Sequence, residues 1–399
     1  MKRLGICAAA AVVIGAAPAK EPPPVATYWM DVSTMSGMGA GMTPGQRPNM
    51  DQIMGMMNGG GGVVHTLNLR LASRDKPPGA GQADHLIPAG LQLGASLPLL
   101  APEVVKEEPV QAGLPTNFER PKGRMLIYWG CGEHVTGSQP TIIDFARVAA
   151  GQMPPGMAAM ASMAHVVSGP HSAPGFGEWP NRRDSRAVPA AGSLVGAHKV
   201  QANYAPPIGF NLAPTQDFMP GLGLREGARM PSGATQLFWQ PAAQATGYAL
   251  AMFGSNQAGD VVMWSSSNRA NMPAMDYLAP GEVKRLVTAG AVLAPGTSQC
   301  VLPAEVAAAS PMAMVTMIGY GPEANFAEAP KAPKWVTKVR YKTTASVMRG
   351  MGAMMGEGDD PQADPQRQGQ PPQAPAPRKK RGLGGLGGIL NGAIPVPRY

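Results

Sequence analysis

Thioether sulfur is the most plentiful candidate for chemistry in this chain, which carries 27 methionines. Fifteen of them fall in four patches: Met35, Met38 and Met42; Met50, Met54, Met56 and Met57; Met153, Met157, Met160 and Met163; Met348, Met351, Met354 and Met355. In "MSGMGAGM" (35–42) little but glycine and alanine separates the sulfurs, and a similar run, "MRGMGAMMGEG", returns at 348–358. Soft thioethers suit Cu(I), most of all in an oxidising compartment where thiolates are consumed. A glycine-rich loop bearing Met35, Met38, Met42, Met50, Met54, Met56 and Met57 has the spacing to fold around one ion. Copper is therefore the one cofactor the sequence raises. The competing reading is compositional. Methionine is an adaptable packing residue, it recurs in strand-like runs at Met125, Met252, Met263 and Met314, and Met157, Met160 and Met163 would make an ordinary core stripe on a helix. Packing is the leading expectation and copper the alternative.

Other constellations are thinner. "CGEH" places Cys131, Glu133 and His134 together, but structural zinc takes four ligands, usually as two short-spaced pairs, and no second pair occurs. His165 and His171 read as loop histidines on either side of Ser168-Gly169-Pro170. There is no Gly-x-Ser-x-Gly elbow, His-Glu-x-x-His pair or phosphate loop ending in Gly-Lys-Ser/Thr. "SRDK" (73–76) has Ser-x-x-Lys spacing but runs into Pro77-Pro78, and "GLGGLG" (382–387) matches a dinucleotide loop with no strand before it. Asp144 and Glu178 stand for carboxylates that no spacing pairs. The sequence points away from an enzyme, and a hydrolase of envelope polymers is only the third reading.

The chain start supplies context. Lys2 and Arg3, an apolar run from Leu4 to Ala16, and Ala17-Pro18-Ala19 follow the order of a secretory signal peptide, with cleavage expected after Ala19. The apolar run is shorter than the roughly 20 residues of a membrane span, and no later stretch qualifies. Export to the periplasm or cell surface is the expectation. Without Lys2 and Arg3 the formal charge of +8 falls to +6. Cys131 and Cys300 are then the remaining cysteines, which admits one disulfide or two buried thiols.

The elements that must position these residues are mostly strands. "VATYWMDVST" (25–34) and "VVHTLNLRLAS" (63–73) alternate with a period of two, the mark of a sheet with one buried face. "KGRMLIYWGCGEHV" adds a third strand and "PTIIDFARVAA" a fourth. "ATQLFWQP", "TGYALAMFG", "DVVMWSSS", "PMAMVTMIGYGPE" and "KWVTKVRYKTTASVM" are short runs separated by turn residues, as in antiparallel sandwiches. The rings of Tyr28, Trp29, Trp129 and Trp264 offer a ligand surface or, on the competing reading, a core.

Trp239 closes one strand, Tyr248 opens the next and "MVTMIGYGPE" supplies a late strand. In these features residues 232–330 resemble fibronectin type III-like modules. The likeness implies binding or scaffolding. The whole chain resembles exported proteins of Gram-negative bacteria, which implies no activity.

The expected fold is mostly β, with two antiparallel sandwich-like regions and long Gly/Pro/Met-rich loops. The expected layout is a signal peptide (1–19), a β-rich region (24–150) with a Met/Gly-rich insertion (35–62), an irregular connector holding a short helix (151–203), a fibronectin III-like sandwich (204–347) and a disordered tail (348–399). In the tail, "DDPQADPQRQGQPPQAPAP" lacks the apolar surface to offset chain entropy. Arg378, Lys379, Lys380 and Arg381 form a basic cluster beside a Gly/Leu/Ile run, a pattern of contact with anionic surfaces or of a simple solvated tail. The expected role is an exported, non-catalytic binding or structural component of the envelope. Its partner would be a protein, a polysaccharide or an anionic lipid surface rather than nucleic acid.

Overall fold

A computed structural model describes residues 22–38, 40, 62–102, 123–152 and 168–350. All lie within the compact unit Met1–Met354; the second unit, Met355–Tyr399, lies outside the described residues. The fold is mostly β. In chain order the strands are β1 (Ala26–Gly37), β2 (Val64–Ser73), β3 (Ala83–Leu86), β4 (Ser96–Pro98), β5 (Arg124–Trp129), β6 (Thr141–Asp144), β7 (Gly175–Trp179) and β8 (Gly196–Ala202). They continue as β9 (Ile208–Leu212), β10 (Arg225–Arg229), β11 (Thr235–Phe238), β12 (Gly247–Ser255), β13 (Val261–Ser265), β14 (Gln299–Leu302), β15 (Ala313–Ala327) and β16 (Trp335–Arg349). Among the described residues three short α-helices interrupt them: α1 (Phe145–Ala149), α2 (Pro280–Thr288) and α3 (Ala304–Ala309).

The described strands form three sheets. One has nine strands in the order β6-β5-β13-β12-β15-β16-β1-β2-β7; the others are β4-β3-β8-β9 and β10-β11-β14. The first two strands pair antiparallel from Ala26↔Ser73 to Met35↔Val64. The nine-stranded sheet runs through both expected sandwich regions and is not purely antiparallel. β1 lies parallel to β16, and β5 lies parallel to β13. The hairpin β5–β6 therefore leaves its own region and extends the sheet on the far edge. No local pattern in a strand announces such a long-range partner.

The element boundaries also shift. The stretch read as an irregular connector, 151–203, carries β7 and β8, while the helix expected in "PPGMAAMASMAHVV" lies outside the described residues. Pro206-Pro207 sits in the β8–β9 hairpin, so the border read at Tyr204 falls inside a paired unit. The tail read from 348 begins within β16, which ends at Arg349.

Alternation along each strand sends one set of side chains inward. Tyr28, Met30 and Val32 of β1, with Leu67, Leu69 and Leu71 of β2, share a core with Val200, Ile208, Phe210 and Leu212 of the four-stranded sheet. Leu237 and Leu302 of the three-stranded sheet join the same core as Tyr248, Leu250, Met252, Trp264, Val315 and Met317. The outward face of the long sheet is partly roofed: Val283 and Leu286 of α2 cover Ala249, Ile318 and Tyr320. The two 15-residue strands β15 and β16 slip register between Tyr320 and Glu323, where Pro322 has no N–H to give the ladder.

Candidate functional site

Polar chemistry concentrates on the outward face of the long sheet where β7, β2, β1, β16 and β15 lie side by side. Backbone register alone assembles it. Glu178, Arg70, Trp29, Lys338 and Asn325 stand directly opposite one another across the five strands. Two residues along, Asn68, Asp31, Arg340 and Glu323 form a second row. Arg340 donates from Nε to Asp31 Oδ1 and from Nη2 to Asp31 Oδ2, both at 2.7 Å, a bidentate fork that fixes both side chains. Arg70 Nη1 lies 3.5 Å from the same carboxylate. The Arg340 guanidinium sits between the rings of Trp29 (4.6 Å) and Tyr277 (4.5 Å). Lys338 lies over Trp29 and pairs with Glu323, and Lys342 lies over Tyr277 and donates to Asp276. The backbone of Gly169 rests on this array: a Cβ there would come within 2.9 Å of Arg70 and 3.1 Å of the Trp29 ring.

Charge balance sets what the array does. Four cations (Arg70, Lys338, Arg340, Lys342) meet four carboxylates (Asp31, Glu178, Asp276, Glu323). Asp31 and Arg340 are both buried. Burial pushes the Tyr277 hydroxyl well above its ordinary range, helped by the nearby Asp31. Burial likewise raises Glu178 against the pull of Arg70. At Asp276 burial works upward, but attraction and a hydrogen bond from Lys342 bring the carboxyl below its usual value. Such a network stacks, hydrogen-bonds and holds strands in register. Among the described residues no group of three His, Cys, Asp or Glu is placed to hold a metal ion.

A second polar line crosses the core. Tyr28 Oη lies 2.8 Å from His85 Nδ1, His85 Nε2 lies 3.0 Å from His198 Nδ1, and His198 Nε2 lies 2.7 Å from the Leu194 carbonyl. A carbonyl only accepts, so His198 carries its proton on Nε2. His85 then donates from Nε2, and Tyr28 donates to His85; every member is satisfied with both rings neutral. Phe210 stacks on His198 at 5.1 Å. Burial lowers His85 well below the usual histidine range, with His198 adding to the effect. Burial also lowers His198, against the Leu194 hydrogen bond. With all three side chains buried, the line joins β1 to β3 and β8 as a structural tie.

The residues singled out in the sequence are scattered. Met35 is on β1, exposed and opposite Thr344. Met38 follows the strand and its N–H donates to the Ser346 carbonyl. Met42, Met50, Met54, Met56, Met57, Arg378, Lys379, Lys380, Arg381 and His165 lie outside the described residues. Cys131 and Cys300 are joined by a disulfide with Cα atoms 5.3 Å apart. His134 Nδ1 meets Glu305 Oε1 at 3.0 Å on the surface. Asp144 caps α1 by accepting from the Ala146 N–H. Tyr28 and Trp264 are core residues, and Trp264 Nε1 donates to the Gly130 carbonyl. Trp29 alone of the four rings stands in the charged array. That array was unread in the sequence, although polar residues at Asp31, Arg340 and Arg70 within alternating strands were its signal. No family model, no curated protein and no solved structure matches the chain.

Proposed function

We propose that this chain is an exported, non-catalytic binding or structural component of the cell envelope, in which residues 204–347 form a fibronectin III-like module. The observation that carries the reading is the outward array, whose charges are matched and stacked on rigid strands. The leader-like start and the Cys131–Cys300 disulfide support export, since such bonds persist in oxidising compartments. Seven consecutive strands divided as β10-β11-β14 and β13-β12-β15-β16 support the module.

Co-sedimentation of the purified chain with envelope polysaccharide, and separately with anionic phospholipid vesicles, tests the role. Retention on one of them, reduced at least tenfold in Trp29→Ala, with no polymer released into solution, is the expected result. Release of soluble fragments would replace this reading with a hydrolase.

A further inference from the structure

Beyond the charged array, the same outward face carries a row of a different kind. Met263 of β13, Phe253 of β12, Met314 of β15 and Met348 of β16 stand directly opposite one another across four strands. Their inward neighbours Val262, Met252, Val315 and Val347 pack on the core, so this row points away from it. Phe253 is 43% exposed and Met312, one outward position before Met314, is 36% exposed. Neither core cluster includes Met263, Phe253, Met314 or Met348. Met263 is buried at the inner end of this sulfur-rich corner, Met314 and Met348 are half-buried, and Phe253 and Met312 are exposed, so the patch opens to solvent at its Met312 end.

Local backbone brings further sulfur to it. A Cβ on Gly350 would lie 3.5 Å from the Met312 Cα, so the end of β16 sits against Met312. On the other side of β16, the parallel strand β1 ends with Met38 hydrogen-bonded to Ser346. The sequences leaving these two adjacent strands are copies of one another. Residues 35–42 and 348–355 both read M-x-G-M-G-A-x-M, and Gly37 and Gly350 share a left-handed turn with φ of 76° and 80°. Only glycine adopts that conformation freely, so one device ends both strands. Met35 itself is not part of the corner, since it faces Thr344, four residues short of Met348.

We infer that this corner binds a soft monovalent cation of the Cu(I) or Ag(I) class through the thioethers of Met312, Met314 and Met348. Directly opposed residues have Cβ atoms about 4.5–5.5 Å apart, which lets two flexible methionine side chains close on one ion. Thioethers bind without losing a proton and select soft metals over harder ones such as Mg²⁺ and Ca²⁺. Phe253 shields the ion from water on one flank. The site is distinct from the 35–57 tract that the sequence offered for copper, and it goes beyond the envelope-binding role.

The test uses the purified chain with methionine methyl groups labelled by ¹³C, titrated with Ag(I), alongside competition for Cu(I) against a chromophoric chelator. The first equivalent is expected to shift the methyls of Met312, Met314 and Met348. Met314→Leu/Met348→Leu, a swap that preserves volume, should keep the amide spectrum and weaken that equivalent at least tenfold. Met317→Leu on the inward face should not change it. Shifts confined to other methionines, or equal affinity in the double variant, would overturn the assignment.

Discussion

The two ends of the molecule tie their sheets together by opposite means. In the first region, β1 of the long sheet is linked to β3 and β8 across their shared core by hydrogen bonds, through Tyr28, His85 and His198. In the second, the loop after β5 is bonded covalently to β14 through Cys131 and Cys300. Around that bond the core is apolar and aromatic, with Trp239 and Tyr248 at 5.8 Å and the Tyr248 hydroxyl accepting from the Ala242 N–H. One tie can titrate and the other cannot. The contrast predicts that the two regions fail under different stresses.

The largest effect should come from the covalent tie. The bond spans 169 residues of chain, and on the chain-entropy account closing so long a loop is worth about 5 kcal/mol. Cys131→Ser/Cys300→Ser is expected to lower urea stability by up to that amount, with protection of β14 and β5 amides lost first. Equal loss in both regions would show that the bond constrains the whole unit and not one end.

A second break lies where the regions join. Asp31 and Arg340 are buried on the parallel strands β1 and β16. Asp31→Ala leaves the guanidinium without its carboxylate and is expected to cost about 3–5 kcal/mol. Replacing both, Asp31→Leu/Arg340→Met, should recover most of that loss, because a buried pair exchanged for apolar groups is often neutral. A double-mutant cycle by urea denaturation measures the difference. If the double replacement is as damaging as the single one, the pair is needed to set the β1–β16 register.

These ties explain what was legible in the sequence. Period-two alternation made β1 and β2 readable, since Tyr28, Met30 and Val32 are inward and Trp29, Asp31 and Ser33 outward. The pairing of β1 with β16 was not readable, because a separation of 309 positions between Asp31 and Arg340 leaves no local trace. The duplicated M-x-G-M-G-A-x-M runs were visible as composition, but only the parallel pair shows that they leave adjacent strands. His85 and His198, 113 positions apart, meet only when their strands are laid facing Tyr28. Cys131 and Cys300 could be counted but not measured, and a Cα separation of 5.3 Å is a property of the fold.

Acid should separate the regions most finely, and its effect at neutral pH is the smallest. Both relay histidines have folded values below the unfolded value, so between the two the unfolded chain binds more protons. The stability they contribute is present above about pH 6.5 and is lost as pH falls toward their folded values, at no more than about 1.4 kcal/mol per pH unit for each. His65 on β2, also lowered chiefly by burial, adds in the same direction. All three belong to the first region, whereas His134 in the second is exposed. Amide exchange measured from pH 7.5 down to pH 5 should therefore show β3 and β8 losing protection while β11 and β14 retain theirs. His85→Gln/His198→Gln should start less stable and lose less with acid, since no imidazole remains there to charge. Simultaneous loss in both regions would mean that the shared nine-stranded sheet transmits the opening, and the two ends would then be one cooperative unit despite their different ties.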